Sequence, residues 1–261
     1  MLQPIISFHG AEMTHLCLGD RNLLWCGDAA FWGRRAPILF PIVGNLAGGC
    51  LRIGGREYPM KQHGFARDSR FEIIEQSICD IRMRLRSTSE LLQSYPYNFE
   101  LTAHYHIGDD ALRCCWEVRN LGDEVMYYQI GAHPAFNIPD FDRGRELQGY
   151  VLLNSRDGSQ HEIALLPDTF ANDALIFEDE AIDEAILCDR DRQPHLAVRC
   201  TDAQVWGVWA PYKPGCPFVC LEPWRGRKDA PDFQGDISQR EYIQSLEPQA
   251  AATFEYDIAA L

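Results

Sequence analysis

The feature that most constrains this chain is a period-two alternation of apolar and charged residues, recurring in short runs. Ile81, Met83 and Leu85 alternate with Arg82, Arg84 and Arg86. Successive side chains of an extended chain point to opposite faces, so this run places one face on a core and one in water. Leu51-Arg52-Ile53 leads into Gly54-Gly55, a favoured two-residue hairpin turn. Leu101 to Ile107 runs into Gly108-Asp109-Asp110, and the chain continues from Leu112 to Val118 before Asn120-Leu121-Gly122-Asp123, which reads as a second hairpin. Further strands are expected at Val125 to Ile130, Tyr150 to Leu153, Leu196 to Cys200, Val205 to Trp209 and Phe218 to Leu221. The tail from Phe254 to Ile258 alternates again and is expected to close a sheet edge. Leu175 to Leu187 stays open between two readings: a helix face, or a strand followed by an acidic turn. Strand after strand with few long helical periods predicts an all-β sandwich or barrel.

The 261 residues contain no internal repeat and no Gly- or Ser-rich linker, so one domain spanning 1–261 is expected. A chain of this length buries a substantial core without covalent staples. Its formal net charge of −14 repels phosphate backbones and anionic headgroups, which argues against nucleic-acid and membrane partners. The ten cysteines are scattered and imply no disulfide scaffold. Met1 to Ile6 lacks the basic-then-apolar pattern of a secretory signal, and no stretch approaches the about 18 apolar residues of a membrane span. A cytoplasmic protein with reduced thiols is expected, as a monomer or a homodimer.

Several chemistries are absent. Gly44-Asn45-Leu46-Ala47-Gly48-Gly49 has the spacing of neither a P-loop nor a dinucleotide fingerprint. There is no Gly-x-Ser-x-Gly elbow, and Cys216 and Cys220, with Pro217-Phe218-Val219 between them, are poorly spaced for zinc. Three segments look unlike strand filler. His63-Gly64 sets an imidazole beside backbone with little steric cover. His133-Pro134 sets another where a strand enters a proline turn. Leu221-Glu222-Pro223-Trp224 sets a carboxylate among apolar residues, where ionisation is costly. Each alone also fits a blander reading: a turn His, a loop His, a Glu pointing to solvent from a strand end. Trp224 suits either the core or the stacking face of a sugar site. Together, two imidazoles and a carboxylate suffice for acid–base catalysis without metal or cofactor. No Ser or Cys nucleophile accompanies them.

These segments resemble the aldose 1-epimerase (galactose mutarotase-like) family, particularly its shorter bacterial branch. Phe31-Trp32-Gly33-Arg34-Arg35-Ala36-Pro37 through Gly44 is similar to the family's early segment. His63-Gly64-Phe65-Ala66-Arg67-Asp68, Gly131-Ala132-His133-Pro134-Ala135-Phe136-Asn137 and Phe218-Val219-Cys220-Leu221-Glu222-Pro223-Trp224 are similar to those holding its two active-site histidines and catalytic glutamate. The resemblance implies a large antiparallel β-sandwich, or supersandwich, and interconversion of the α and β anomers of an aldohexose. It implies Glu222 as the base on the C1 hydroxyl, His133 as the acid on the ring oxygen, and His63 as a further donor near that oxygen. It also implies Asp173 as a ligand for sugar hydroxyls. With these roles, Glu222 would set the acid limb of a bell-shaped pH profile and His133 the basic limb.

One position departs from the family. Better-characterised galactose mutarotases carry an Arg shortly before the first His, in an Asn-Arg-Ile context, whereas this chain reads Gly44-Asn45-Leu46-Ala47-Gly48. Arg67, on the other side of His63, is the candidate replacement. Two rival readings share the fold. A hexose-6-phosphate mutarotase would need basic residues at the cleft, for which Arg34, Arg35, Arg67 and Arg225 are candidates; a non-catalytic carbohydrate-binding module would not need the acid and base. His104 and His106 share one face of a strand, where a metal site with Cys114 or Cys115 is conceivable and a polar sheet face is the plainer reading. The acidic run Glu178-Asp179-Glu180, with Asp183 and Glu184, reads as a solvated face.

Overall fold

The computed structural model describes residues 1–261. Its regular elements are antiparallel strands and four single turns of 3-10 helix, and no helix is long and apolar enough to cross a membrane. Two large sheets dominate. The first has nine strands in the order Gln160–Ala164, Tyr150–Ser155, Ile182–Cys188, Pro194–Arg199, Ala251–Ala260, Ala111–Asn120, Phe99–Ile107, Asp80–Arg86 and Glu72–Gln76. The second runs Leu175–Glu178, Val205–Trp209, Phe218–Arg225, Ile130–Ala132 and Ile38–Leu39, with Ala135–Asn137 also pairing to Phe218–Arg225. The fold is the expected large antiparallel β-sandwich.

The alternation read from the sequence sets the packing. In the hairpin of Phe99–Ile107 and Ala111–Asn120, the buried side chains include Leu101, Ala103 and Tyr105 on one strand and Cys114, Trp116 and Val118 on the other. Register places small Ala103 opposite Trp116. The indole fills that space and meets the rings of Tyr105 at 5.1 Å and Tyr256 at 5.7 Å edge-on, an offset favoured by the ring quadrupoles. The main core draws on both sheets, with Met83 and Trp116 from one and Val208, Val219 and Leu221 from the other.

The hairpin turn at Gly54-Gly55 forms as expected, with φ of 56° and 77°, a region costly for residues with a Cβ. Leu175 to Leu187 is the strand alternative: Leu175–Glu178 in the six-stranded sheet and Ile182–Cys188 in the nine-stranded one, with Asp179-Glu180 between. The acidic run is tied down by ion pairs: Glu178 to Arg227, Asp183 to Arg156 and Glu184 to Arg199.

Three expectations are corrected. The strand expected over Val125 to Ile130 is two short ones: Met126–Tyr128 pairs with Gln244–Leu246, and Ile130–Ala132 lies in the six-stranded sheet. The tail Ala251–Ala260 does not close an edge; it pairs with Ala111–Asn120 on one side and Pro194–Arg199 on the other. Alternation reports that one face is buried, not whether the backbone ladder is used on both sides. The edges are Gln160–Ala164 and Glu72–Gln76. The strand expected to end at Leu221 continues to Arg225. Pro223 removes one ladder donor, yet pairing persists around it, with Trp206 opposite Pro223 and Gly131 opposite Trp224.

Candidate active site

Strand alternation decides what Phe218–Arg225 offers to each side of its sheet. Val219 and Leu221 enter the main core. Phe218, Cys220 and Trp224 belong to clusters on the opposite side, and by period two Glu222 lies on that side as well. Gly207 is the register partner of Glu222, and Gly131 is that of Trp224. A Cβ at either glycine would strike the Trp224 ring, at 2.7 Å from Gly207 and 2.5 Å from Gly131. The two glycines therefore let the indole lie flat across neighbouring strands. Its N–H donates to the Ala132 carbonyl at 3.2 Å.

His63, His133, Glu222, Arg67, Asp173 and Trp224 all line one cavity of about 400 Å³, within the size range of small-molecule sites. Glu222 is 1% exposed and both histidines 7%. His133 Nε2 lies 3.1 Å from Glu222 Oε2. The contact is close but not aligned as a hydrogen bond, so Glu222 Oε2 lacks a protein partner, and His133 Nδ1, on the other side of the ring, lacks one too. The His133 ring is held by aromatic neighbours: it stacks on Trp32 at 4.8 Å and meets Trp209 edge-on at 5.7 Å. The His63 ring stands perpendicular to it at 5.5 Å.

His63 is oriented by its backbone. It adopts φ 63°, and Gly64 follows at φ 72°, a pair of left-handed residues that turns the chain tightly. The Gly44 N–H donates to His63 Nδ1 at 3.1 Å. A backbone N–H can only donate, so Nδ1 must accept, and the ring proton of the neutral form sits on Nε2. Burial, then the neighbouring His133, holds the His63 imidazole well below its usual range. Gly64 itself cannot carry a side chain, because a Cβ would overlap the Phe40 carbonyl and sit 2.7 Å from Pro41 Cδ. Gly64→Ala should cost about 2–3 kcal/mol and lower Tm by about 5–10 °C while displacing His63. A calorimetric melt matching that of the unmodified chain would contradict this role.

Burial also shifts the acid–base pair. It lowers His133 to about 3. It raises Glu222 well above the usual carboxylate range, with Asp173 adding to the rise. The order of the two groups is thus the reverse of the one expected from the sequence, in which Glu222 sets the acid limb of the pH profile and His133 the basic limb.

Arg67 lines the cavity beside His63. Its Nη2 donates to the Gln62 carbonyl at 2.6 Å, while Nε is buried without a partner. Burial, then Arg34, lowers it to about 10, so it stays cationic at neutral pH. Asp173 is exposed at the cavity mouth, with φ 81°. The other arginines considered for phosphate do not line the cavity. Arg34 pairs with Asp68 at 2.8 Å, and Arg225 pairs with Asp202 at 3.1 Å; Arg35 lies against Gly27. Lining residues not singled out from the sequence include Trp32, Asn45, Asn172, Trp209, Arg227 and Lys228. Arg227 is paired with Glu178 and Glu241, whereas Lys228 makes no salt bridge. A Trp at a strand end, as at Trp209, was the one available signal.

His133, Cys220 and Glu222 could in principle converge on a metal ion. Cys220 opposes this, because burial, then Glu222, raises its thiol well above the usual value, and the metal ligand is the thiolate.

A deep sandwich carrying a buried acid–base pair and a second imidazole in one small-molecule cavity defines a class of protein suited to proton transfer on a polar ligand. The family model for aldose 1-epimerases matches residues 2–235, and the chain belongs to that family. Protein LacX (plasmid) of Lactococcus lactis subsp. lactis is 27% identical, with 97% of this chain and 94% of LacX aligned. A galactose mutarotase related enzyme from Lactobacillus acidophilus superposes with a TM-score of 0.90 at 29% identity, covering 100% of this chain and 95% of its own. A galactose mutarotase-like protein from Lactobacillus casei ATCC 334 gives 0.91 at 25%, covering 100% and 97%.

Proposed function

We propose that the protein is an aldose 1-epimerase that interconverts the α and β anomers of a free aldohexose. The observation that carries this reading is the 3.1 Å approach of His133 Nε2 to Glu222 Oε2, both buried, in one cavity with His63. The Glu222 carboxylate takes the proton of the C1 hydroxyl while His133 gives a proton to the ring oxygen. The C1–O5 bond opens, the aldehyde turns about C1–C2, and closure with the roles reversed yields the other anomer. His63, with its proton on Nε2, donates to the same region of the sugar. Arg67 and Asp173 bind hydroxyls, and Trp224 forms an apolar wall for the sugar face. In this reading 1–261 works as one domain, since the cavity takes residues from Trp32 to Lys228 and the core spans Leu2 to Ile258. A non-catalytic carbohydrate module would have no use for a desolvated acid–base pair.

The free sugar is favoured over its 6-phosphate. Three of the four arginines that could have met a phosphate lie outside the cavity, and Arg227 is neutralised by two glutamates. Lys228 and Arg67 are the cations left to favour a phosphate. NMR exchange between anomers, run across free and phosphorylated aldoses, tests the reading. A free aldohexose should exchange with the higher kcat/KM, and EDTA should leave the rate unchanged, because the acid and base suffice. A far higher kcat/KM for a sugar phosphate would overturn the substrate. Catalysis of no aldose would overturn the activity, and loss in EDTA restored by a divalent ion would overturn the metal-free chemistry.

A further inference from the structure

The outer face of the nine-stranded sheet carries a second cluster of chemically active side chains. Along Phe99–Ile107, Leu101, Ala103 and Tyr105 point into the core, so His104 and His106 share the outward face. Asp80, on the adjacent strand, is the register partner of His106. His104 Nε2 lies 2.9 Å and His106 Nδ1 2.8 Å from the same oxygen, Asp80 Oδ1. The other carboxylate oxygen, Oδ2, accepts from the Ser77 hydroxyl at 3.3 Å. The cysteines considered from the sequence are not part of this cluster: Cys114 is buried on the core face, and the Cys115 thiol faces Glu255.

We propose that Asp80, His104 and His106 form a surface site for a divalent late transition-metal ion such as zinc. Two imidazole nitrogens and a carboxylate oxygen are a ligand set that suits these ions. One ligand atom from each residue falls within 4.8 Å of the others. Tetrahedral zinc, with bonds of about 2.0–2.1 Å, sets its ligand atoms about 3.3 Å apart. The present 2.8–2.9 Å separations need to open by about half an ångström, which small side-chain rotations supply. The ladder between Asp80–Arg86 and Phe99–Ile107 holds the three Cα positions, and ligands mounted on paired strands are better placed than ligands on loops. Ser77 orients the carboxylate, as outer-shell partners do in metal sites. The side chains are 22%, 46% and 29% exposed for His104, His106 and Asp80, so an ion has access from solvent and water completes its coordination. Nearby cations do not repel it strongly: Arg82 pairs with Glu75 and Arg113 with Asp257. None of the three ligands lines the catalytic cavity, so the proposal stands independently of the proposed activity.

The test is zinc titration of the full-length, metal-stripped protein by calorimetry at pH 7.5 in a non-thiol reductant, beside the double variant His104→Ala/His106→Ala and the single variant Asp80→Asn. The unmodified protein should bind one zinc equivalent that the double variant lacks. Loss of an outer-shell partner costs about 10–100-fold in affinity, so removing two ligands should cost more than this, and Asp80→Asn at least tenfold. The substituted side chains face solvent, and circular dichroism should show the fold retained. In zinc-soaked crystals, an anomalous peak at the zinc edge should lie between the three side chains. Equal zinc stoichiometry and affinity in the unmodified protein and the double variant would overturn the site, as would an anomalous peak confined to cysteines or to the His133–Glu222 pair.

Discussion

Glu222→Gln should lower kcat by at least about a hundredfold. The amide keeps the shape of the side chain and removes the base, and general acid–base groups typically contribute ~10²–10⁴-fold. The size of the effect follows from the site's desolvation, because Glu222 is 1% exposed. The pH profile provides a second readout. The productive form of the pair holds one proton shared between Glu222 and His133, since one group must accept while the other donates. Below the lowered His133 value, about 3, the pair carries two protons and the base is lost. Above the raised Glu222 value it carries none and the acid is lost. Activity should therefore rise through a limb far more acidic than an ordinary imidazole and fall through one far more basic than an ordinary carboxylate. These constants belong to the pair as a unit. Stopped-flow polarimetry across pH checks both points, and near-normal turnover by Glu222→Gln would end the assignment.

His133→Asn should also lose at least about a hundredfold in kcat, with a change of profile that a merely structural role would not produce. Without the imidazole, the remaining catalysis depends on Glu222 alone, which must be ionised. The residual rate should then increase with pH through the range where the unmodified enzyme declines. His63→Asn should be milder, because His63 is held as a neutral donor by Gly44 and, in the proposed mechanism, mainly orients the sugar. If His63→Asn proved more damaging than His133→Asn, the two imidazoles would have to exchange roles. If the residual profile of His133→Asn kept the falling limb, the shared-proton account would fail.

The candidate acid–base residues stood out because each sits in an unusual local setting: His63 before Gly64, His133 before Pro134, Glu222 between Leu221 and Pro223. Three such settings in family order on one chain are more specific than any one of them. The strand pattern was legible for a different reason. Burial of one sheet face imposes a period of two, which Met83 and Leu85 beside Arg84 and Arg86 display directly.

What the sequence determined by itself was therefore the class of fold, the strands of the long hairpins and the candidates for the reacting groups. All of these depend on residue type and on neighbours within a few positions. Only the tertiary structure decided which edges pair and which groups meet. The alternation of Ala251–Ala260 is the same whether its ladder is open or paired on both sides. Nothing local to Arg227, Lys228 or Trp32 places them around the same cavity as Glu222. Nothing local to Asp80 places its carboxylate under two imidazoles from the next strand, which required the register of Asp80–Arg86 against Phe99–Ile107. The reversed order of the Glu222 and His133 protonation equilibria was likewise beyond the sequence, because desolvation is a property of the packed sandwich and not of either residue.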